Sequence, residues 1–596
     1  MLTRSPVPSQ SCRADMQEAD ASDGMYGALD DMPVPRSFSY EVWGSDQSNS
    51  VAGVEAAGVN GSFMWIWDNY SIELQLAGGP PARAVGCSAD ASVGGPCDLQ
   101  DVFPGTLVEV DGAGQPTGAK LADLDNFGRL HGMLPDPLGK YVAGAIFAPG
   151  GGYVGIIDAT TKEAVALFRA TGTNVGNSTD VRSVHMPFWA TDGSHVIVAN
   201  LNGKLLERVD VDRNSHGTIT KATFNRGATL GVGKNMTVTA EATAFIGKNA
   251  HGNTLVSAVA GEYDAEALSD LTPNGVCKEN GCSSGADGAA GGRSNNVIIC
   301  PIPSSGGRSY ITMGGGGLLV ADSFATPMVL VGEYGDEVVN GAGCGGAETG
   351  EANGGSHDGA TIWLNAGVSA AEGGATWSTY TMYTFDDRVF EAGGMPENEP
   401  APKEVYADGD NTATGGRLVG DAGNDSGQLP GVTTRRDAHG TAVTVNGDYV
   451  HTVDRLQNLV EVFDAVTQTR IATYDLTSSD GQGGGGLGPC QDASVTDDAL
   501  PPNDPTPDLL ERTPDGRFLM IAFRGPSPVS VAHSGQGSCP GVGVVELLDG
   551  GRSGKLVAVL RSSNTVADST VSAPGGFPYM GAERSDVHAA TVVYQP

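Results

Sequence analysis

The chain has little positive charge for its length. It carries 34 Lys and Arg against 70 Asp and Glu, which gives a formal net charge of −36 at pH 7. A surface of this sign repels nucleic acids and anionic membranes, so partners of those two kinds are not expected. No apolar run approaches the roughly 18 residues that a membrane-spanning helix needs. Residues 1–24 contain no hydrophobic signal core, so we expect either a mature secreted form or a chain retained in the cell.

The sequence also lacks the short motifs of nucleotide-binding and nucleophilic enzymes. No G-x-S-x-G elbow, phosphate-binding loop or dinucleotide fingerprint stands between a strand and a helix. The glycine run at 314–322 leads into a strand, which does not form a phosphate cradle. Glycine is abundant, with 88 residues, which is about twice its usual share. It clusters between strand-like segments, and this predicts many turns and long surface loops.

A strand–turn–strand unit recurs along the chain. Four segments open with a polar residue, continue as a hydrophobic strand and reach a turn glycine: 131–139, 185–193, 439–447 and 508–516. Their opening residues are His131, His185, His439 and Asp508, and a fifth opening stands at His588. Such self-similarity indicates a repeat fold. If the units are arranged around an axis, the opening side chains converge there.

The units predict a seven-bladed all-β propeller. Four blades come from the segments above, two come from the strand-rich middle of the chain, and one combines the N-terminal strands with the strand at His588. Completing the first blade with the last strand removes the free edge of the ring. We expect an extended arm over 1–36 and one propeller domain over 37–596. Its glycine- and acid-rich insertions are placed at about 262–295, 340–358, 394–433 and 480–506.

These repeats resemble those of the YVTN-type propeller superfamily, whose blades read Pro-His-Gly, a strand, Pro-Asp-Gly and a strand ending Val-Ala-Asn. The matching residues are His185, Asp192, Gly193, VAN at 198–200, His439, Asn446, Gly447, Pro514, Asp515 and Gly516. The resemblance covers about half of the chain. The superfamily includes the propeller of nitrous oxide reductase and propellers similar to selenium-binding protein and methanethiol oxidase. There, histidines at blade starts bind copper or another metal at the axis, and the resemblance implies the same possibility here.

The candidate metal ligands are the opening residues together with one more carboxylate. They are His131, His185, His439, His588, Asp508 and Glu241. Neutral imidazole is a common ligand of transition metals, so copper is the first expectation, with zinc and iron as alternatives. The competing interpretation is that blade-start histidines bind neighbouring backbone and hold the blades together. The remaining histidines (195, 216, 251, 357, 451 and 533) are predicted to be structural.

Three oxygen-rich loops raise the question of calcium. The loop at 210–217 places Asp210, Asp212 and Asn214 at alternate positions, and loops at 407–411 and 421–427 are similar. None has the full spacing of a calcium-binding EF-hand or its bidentate glutamate. Solvated turns are therefore the preferred interpretation, with loop calcium as the alternative.

The cysteines favour an exported protein. The chain has nine, and the expected disulfides are Cys87–Cys97, Cys277–Cys282, Cys300–Cys344 and Cys490–Cys539, with Cys12 left over. Reduced thiols in a cytosolic protein are the alternative. Acceptor triplets for N-glycosylation stand at Asn60, Asn69, Asn177, Asn235 and Asn424. We therefore predict an extracellular or periplasmic protein with disulfides and glycosylation sites.

Two functions from different classes remain open on the sequence. The first is a secreted propeller whose histidine-lined axial channel binds a transition metal, with redox catalysis as one use of it. The second is a non-catalytic extracellular scaffold that contacts a protein or glycan partner through its loops. A calcium-dependent, lactonase-like hydrolase is a third option, but it needs carboxylates and asparagine at the axis in place of histidines.

Overall fold

The computed structural model describes most of the chain after the predicted N-terminal arm, which lies outside the described part. The described residues are 39–47, 63–87, 95–124, 130–148, 151–175, 178–232, 236–269, 298–313, 316–335, 338–339, 342–350, 361–366, 380–390, 401–408, 417–419, 431–433, 436–495, 502–526, 537–564 and 583–594.

Strands dominate the described residues. Those of the first half are β1 (Tyr40–Asp46), β2 (Phe63–Asp68), β3 (Cys97–Asp98), β4 (Val108–Val110), β5 (Pro116–Lys120), β6 (Leu130–Pro135), β7 (Tyr141–Ala148), β8 (Gly151–Asp158), β9 (Ala164–Arg169), β10 (Gly172–Val175), β11 (Ser178–Val181), β12 (Val184–Trp189), β13 (His195–Asn200), β14 (Leu205–Arg213), β15 (Ile219–Asn225), β16 (Leu230–Gly231), β17 (Val238–Ala240), β18 (Thr243–Ile246) and β19 (Ser257–Ala260).

The second half continues the same pattern. Its strands are β20 (Ile298–Pro303), β21 (Arg308–Met313), β22 (Leu318–Asp322), β23 (Val329–Tyr334), β24 (Ala342–Thr349), β25 (Thr361–Ala366), β26 (Tyr380–Asp386), β27 (Lys403–Asp408), β28 (Arg417–Val419), β29 (Gly431–Thr433), β30 (Ala438–Val443), β31 (Tyr449–Asp454), β32 (Leu459–Asp464), β33 (Thr469–Asp475), β34 (Pro507–Arg512), β35 (Phe518–Phe523), β36 (Gly541–Leu548), β37 (Ser553–Arg561) and β38 (Val587–Tyr594).

Helices are short in the described ranges. The α-helices are α1 (Asn69–Leu76), α2 (Leu99–Val102), α3 (Ala265–Ser269) and α4 (Cys490–Ala493). Asp68 caps the N-terminus of helix α1, because its side chain accepts a hydrogen bond from the Ser71 amide and so satisfies a free N–H of the first turn. Over the part of the chain that is described, no helix combines the length and apolar character needed to cross a membrane.

Seven of the described sheets have four or more strands. Four consist of consecutive antiparallel strands: β20–β23, β24–β27, β30–β33 and β34–β37. The sheet of β6–β9 is extended by β18, β4 and β5, and that of β12–β15 by β19 and β16. The seventh joins the two ends of the described chain in the order β3-β2-β1-β38. Its C-terminal strand pairs antiparallel with β1 from Tyr40 opposite Tyr594 to Asp46 opposite Val587.

One edge strand of each sheet contacts its counterparts in the neighbouring sheets; it is the first strand of its unit in six sheets and the C-terminal strand β38 in the seventh. Strand β6 contacts β12, β12 contacts β20, β20 contacts β24, β24 contacts β30, β30 contacts β34, β34 contacts β38, and β38 contacts β6. We call these seven the inner strands. Antiparallel sheets that meet through such inner strands form a β-propeller, and this is the fold of the described chain.

The core lies between neighbouring sheets, which explains why the second and third strands are apolar on both faces. Strand β35 (FLMIAF) is buried along its whole length. Its Met520 belongs to the cluster that includes Trp67 of the N-terminal sheet, whereas Ile521 belongs to the cluster around Val462 and Tyr474 of β32 and β33. A strand covered on both faces reads as a continuous hydrophobic run rather than an alternation.

Two glycine- and acid-rich stretches expected to be insertions contain strands instead. The stretch at 340–358 contains the inner strand β24, and the stretch at 394–433 contains β27, β28 and β29. Glycine in β24 serves close packing and not loop flexibility, because a Cβ on Gly346 would approach the Ile302 side chain to 2.6 Å. Two strands predicted for the middle units also join earlier sheets: β18 pairs with β9, and β19 pairs in parallel with β15.

Candidate metal centre at the inner strands

A β-bulge interrupts every inner strand at the same place. The register shifts occur between residues 130 and 132, 184 and 187, 298 and 301, 342 and 346, 438 and 441, 507 and 510, and between 587 and 589. The residues released from pairing include His131, His185, Cys300, Cys344, His439, Asp508 and His588. A bulge redirects a side chain and is common next to functional sites. We call these seven residues the axial cluster.

Small residues after the bulge let the inner strands approach one another. His131, Cys344 and His439 are each followed by glycine. A side chain on Gly345 would collide with the His439 carbonyl, and one on Gly440 would collide with the Asp508 carbonyl. Backbone therefore packs against backbone between neighbouring inner strands, which draws the cluster together.

The first half of the axial cluster is a histidine–carboxylate group, here called the polar half: His439, Asp508 and His588. Nδ1 of His439 lies 3.0 Å from Oδ1 of Asp508, and Nε2 of His588 lies 3.9 Å from Oδ2. One ligand atom from each of the three residues lies within 4.8 Å of the others. All three side chains are buried. The polar half therefore offers two imidazoles and a carboxylate to one point.

Buried arginines connect the polar half to two further carboxylates. Arg524 donates to Oδ2 of Asp508 at 2.8 Å and makes a bidentate pair with Asp586 at 2.7 and 2.8 Å. On the other side, Arg455 binds Asp437 and reaches within 3.6 Å of Asp508. Asp508 thus lies between two guanidinium groups, each of which also pairs with a further carboxylate.

Burial and neighbouring charge set the protonation of the polar half. Burial lowers the pKa of His439, and Arg455 lowers it further against the opposing pull of Asp508. Burial likewise lowers the pKa of His588 well below its usual range. For Asp508, burial alone would raise the pKa, but His439, His588 and Arg455 outweigh it and hold the pKa well below its usual range. Neutral imidazole and ionised carboxylate are the forms that bind a metal cation.

The second half of the cluster contains sulfur and is here called the sulfur half: His185, Cys300 and Cys344. The two cysteines, from β20 and β24, form a disulfide with a Cα–Cα distance of 5.3 Å. Nδ1 of His185 lies 3.7 Å from Sγ of Cys300 and 3.9 Å from Sγ of Cys344. His131 connects the halves, because its ring centroid lies 4.0 Å from those of both His185 and His588.

A cavity of about 300 Å³ adjoins the cluster. Cys344 lines it, together with Met133, Met186, Leu509 and Ala589, which follow other cluster residues on the inner strands.

Two charged residues stand at this cavity. Glu511 accepts hydrogen bonds from the Thr591 hydroxyl at 2.7 Å and the Val592 amide at 2.8 Å, and burial raises its pKa. Arg512 donates to the Val443 carbonyl. The cavity is therefore mainly apolar, with room for a small molecule beside the cluster.

The structure brings five of the six predicted ligands together and leaves one apart. Glu241 is a surface residue with 61% exposure of its side chain, and it pairs with Arg226 at 2.8 Å. It follows β17, outside the inner strands, so its likeness to an opening residue is confined to the sequence. The physical reason is that AEATAFIG supplies β18, which extends the outer edge of the sheet that begins with β6.

The other histidines in the described ranges have local partners. His451 contacts the Gly551 carbonyl and the Tyr474 hydroxyl, and His195 contacts the hydroxyls of Ser194 and Ser323. His251 pairs with Glu163, whereas His216 is exposed in the turn between β14 and β15. His357 and His533 lie outside the described residues.

The first of the oxygen-rich loops forms a turn between β14 and β15. Its Asn214 side chain accepts hydrogen bonds from the amides of His216 and Thr218, while Asp210 pairs with Arg208. The side-chain oxygens of Asn214 and Asp210 therefore accept hydrogen bonds or ion pairs from neighbouring protein groups. The loop at 421–427 lies outside the described residues, and so does most of that at 407–411.

Three of the four predicted disulfides are confirmed. They are Cys87–Cys97, Cys300–Cys344 and Cys490–Cys539. Cys12, Cys277 and Cys282 lie outside the described residues.

The sequence reasoning missed the two cysteines and the arginines as members of the site. A signal was present for Cys344, since Cys-Gly at 344–345 repeats the His-Gly of 131–132 and 439–440. Arg455 and Arg524 each follow directly on the second strand of a unit, in YVHTVDR and FLMIAFR. Comparing equivalent positions across all units would have found both features.

Comparison with known proteins adds solved structures of low similarity. No family model and no curated protein matches the chain. A protein from Lactobacillus plantarum superposes with a TM-score of 0.41 at 9% identity, over 93% of this chain and 99% of that one. A putative 6-phosphogluconolactonase from Bacteroides fragilis gives 0.38 at 10% identity, over 87% and 93%. The periplasmic gluconolactonase of Pseudomonas aeruginosa gives 0.36 at 8% identity, over 88% and 98%. Scores this low carry no argument about activity, so the fold assignment rests on the sheets themselves.

Proposed function

We propose that this chain is an exported, seven-bladed propeller of the YVTN type that is closed by its C-terminal strand and binds a transition metal at its axis. The main observation in support of a metal site is the polar half of the axial cluster, where His439, Asp508 and His588 bring ligand atoms within 4.8 Å of one another. The contacts from β6 round to β38 and back support seven blades. The disulfides support export.

The donor set suits a first-row transition metal. Two imidazoles and one carboxylate are ligands of copper, iron and zinc, of which copper is the first expectation. The 3.0 Å between Nδ1 of His439 and Oδ1 of Asp508 fits neighbouring donors of one ion, because such bonds are about 2.0–2.2 Å long. Calcium takes oxygen ligands, and Asp508 is the one oxygen donor among the seven cluster residues. The lactonase names of the solved structures are therefore not extended to this chain.

The chain's own residues define what such a centre does. Asp508 is fixed by Arg524 and cannot rotate away, while His439 and His588 approach it from neighbouring inner strands. When bound, the metal supplies Lewis acidity or one-electron transfer. The mainly apolar cavity bounded by Leu509 and Ala589 has room for a small reactant next to the cluster. A redox enzyme acting on a small molecule is the activity that this arrangement favours.

The arginines favour a second candidate, a non-catalytic scaffold with a purely structural axis. Oδ2 of Asp508 accepts from Arg524, and His439 lies within hydrogen-bonding distance of Oδ1. On this interpretation the ion pairs hold the inner strands together, and the loops contact a protein or glycan.

Elemental analysis of protein purified without chelator or an affinity metal distinguishes the two. We expect about one equivalent of copper, zinc or iron per chain, lost when His439→Ala is combined with His588→Ala. The matched control is His451→Ala, which removes a buried histidine that lies outside the cluster and contacts Gly551. Metal that is absent from the parent, or that survives the double substitution, would refute the metal centre and leave the scaffold.

A further inference from the structure

We propose that the sulfur half of the axial cluster is a second, reduction-dependent metal site. In the oxidised protein the disulfide occupies both sulfurs. On reduction, Cys300 and Cys344 become thiols that, with His185, bind one thiophilic cation such as Zn²⁺ or Cu⁺. The proposal goes beyond the metal of the polar half and uses none of its three residues.

The geometry points to this site because three neighbouring inner strands deliver its donors. Nδ1 of His185 lies 3.7 and 3.9 Å from the two sulfurs, and all three residues are buried. Two thiolates and an imidazole are the ligands that structural zinc and Cu⁺ sites use, at about 2.3 Å for sulfur and 2.0–2.1 Å for nitrogen. His131, whose ring centroid is 4.0 Å from that of His185, stands next to the set as a further nitrogen donor.

The location of the disulfide separates it from the two structural ones. The Cys87–Cys97 and Cys490–Cys539 disulfides have no histidine partner among the described contacts. Cys300–Cys344, in contrast, faces His185 from two bulges, and a bulge aims a side chain where a regular strand would not. Its proximity to His185 therefore distinguishes this disulfide from the other two.

The cavity gives a reductant a route to the bond. Cys344 lines the cavity and retains 7% exposure, whereas Cys300 is fully buried. A small dithiol enters, and one of its thiolates attacks Sγ of Cys344, so that Cys300 leaves as a thiolate and takes up a proton. The second thiol of the reductant then displaces Cys344, and the reductant ends as its own disulfide. Two electrons and two protons pass to the protein, and a cation that binds afterwards displaces the two protons.

The test uses the full chain with Cys12, Cys277 and Cys282 replaced by alanine, and Cd²⁺ as the probe. Cadmium bound to thiolate has a charge-transfer absorbance in the ultraviolet that carboxylate-bound cadmium lacks. We expect no such absorbance in the oxidised protein, and saturation at one equivalent after reduction with dithiothreitol and anaerobic removal of the reductant, which would itself bind cadmium. Cys300→Ala with Cys344→Ala should abolish it. The matched control, Cys490→Ala with Cys539→Ala, should retain it.

His185 provides the second arm. We expect His185→Ala and His185→Gln to weaken cadmium binding by about tenfold or more, while near-ultraviolet circular dichroism confirms the native fold. The proposal is overturned if alkylation shows that dithiothreitol does not open Cys300–Cys344 in the native protein, if the opened pair gives no absorbance, or if both His185 variants bind normally. His439→Ala with His588→Ala should leave the cadmium signal intact, so failure of the polar-half metal and failure of this site are distinguishable.

Discussion

The two halves of the axial cluster occupy equivalent positions and yet have opposite chemistry. The polar half places the imidazoles of His439 and His588 at 3.0 and 3.9 Å from the carboxylate of Asp508, which pairs with buried Arg524. The sulfur half joins Cys300 and Cys344 through a covalent bond beside His185. One backbone device, a bulge on the inner strand, presents both sets. The fold therefore fixes where seven side chains meet, and residue identity alone decides what each half does.

Removing Arg524 should break the polar half and have the largest effect on stability. Arg524→Met leaves the carboxylates of Asp508 and Asp586 buried without their shared guanidinium, and we expect a loss of about 3–5 kcal/mol. Urea unfolding measures it. The control Arg517→Met removes a surface pair with Glu73, where Arg517 is 52% exposed, and should cost about 1 kcal/mol or less. Equal losses would show that the ion pairs of the polar half contribute no more than surface ones.

Removing the disulfide of the sulfur half should reduce the free energy of unfolding by a similar amount. Its sequence separation is 44 residues, against 49 for Cys490–Cys539 and 10 for Cys87–Cys97. Loop-closure entropy then predicts about 4 kcal/mol for each long pair and about 3 kcal/mol for the short one. Double alanine variants and urea unfolding provide the ranking. If the two long disulfides differ strongly in the free energy of unfolding that their removal costs, then contacts within the axial cluster contribute to stability in addition to loop closure.

A buried histidine outside the cluster, His451, should make the stability of the protein depend on pH. Burial lowers the pKa of His451 to about 4. Below about pH 6.5 this histidine is therefore protonated in the unfolded chain but remains neutral in the folded chain until the pH approaches 4. This contribution to stability is complete above about pH 6.5 and is lost as the pH falls towards 4, by about 2–4 kcal/mol. His451→Gln should reduce the acid-side slope of stability by about one proton. An unchanged slope in His451→Gln would contradict the assignment.

A substitution at the boundary between the halves should have the smallest effect on stability of the four. Gly345 of the sulfur half packs against the carbonyl of His439 in the polar half. Gly345→Ala forces the two strands apart, and we expect a loss of about 1–3 kcal/mol together with weaker metal retention. Gly484→Ala is the matched control, because its Cβ would meet Asp480 at an ordinary 3.5 Å. Indifference at Gly345 would show that the halves are not in tight contact.

The sequence by itself determined the repeats and much of the site. The positions of His131, His185 and His439 followed from the spacing to a turn glycine, because hydrophobic period and turn chemistry are local properties. The same spacing placed Asp508, and the fifth opening in the C-terminal strand placed His588. Three disulfides also followed from cysteines that stand close together or in neighbouring units. Glu241 failed for the same local reason, since a short strand-like segment does not reveal which edge of a sheet it joins.

Only the tertiary structure decided what the seven positions form together. Cys344 lies in a glycine-rich stretch whose sequence is typical of a loop. The stretch forms the inner strand β24 because it packs closely against β30. Arg455 and Arg524 are charged residues after hydrophobic strands, which are normally solvated. Each arginine pairs with a carboxylate of its own sheet and with one from the next: Arg455 with Asp437 and Asp508, and Arg524 with Asp508 and Asp586. The contacts between sheets complete the compensation of these buried charges, and no local pattern records them.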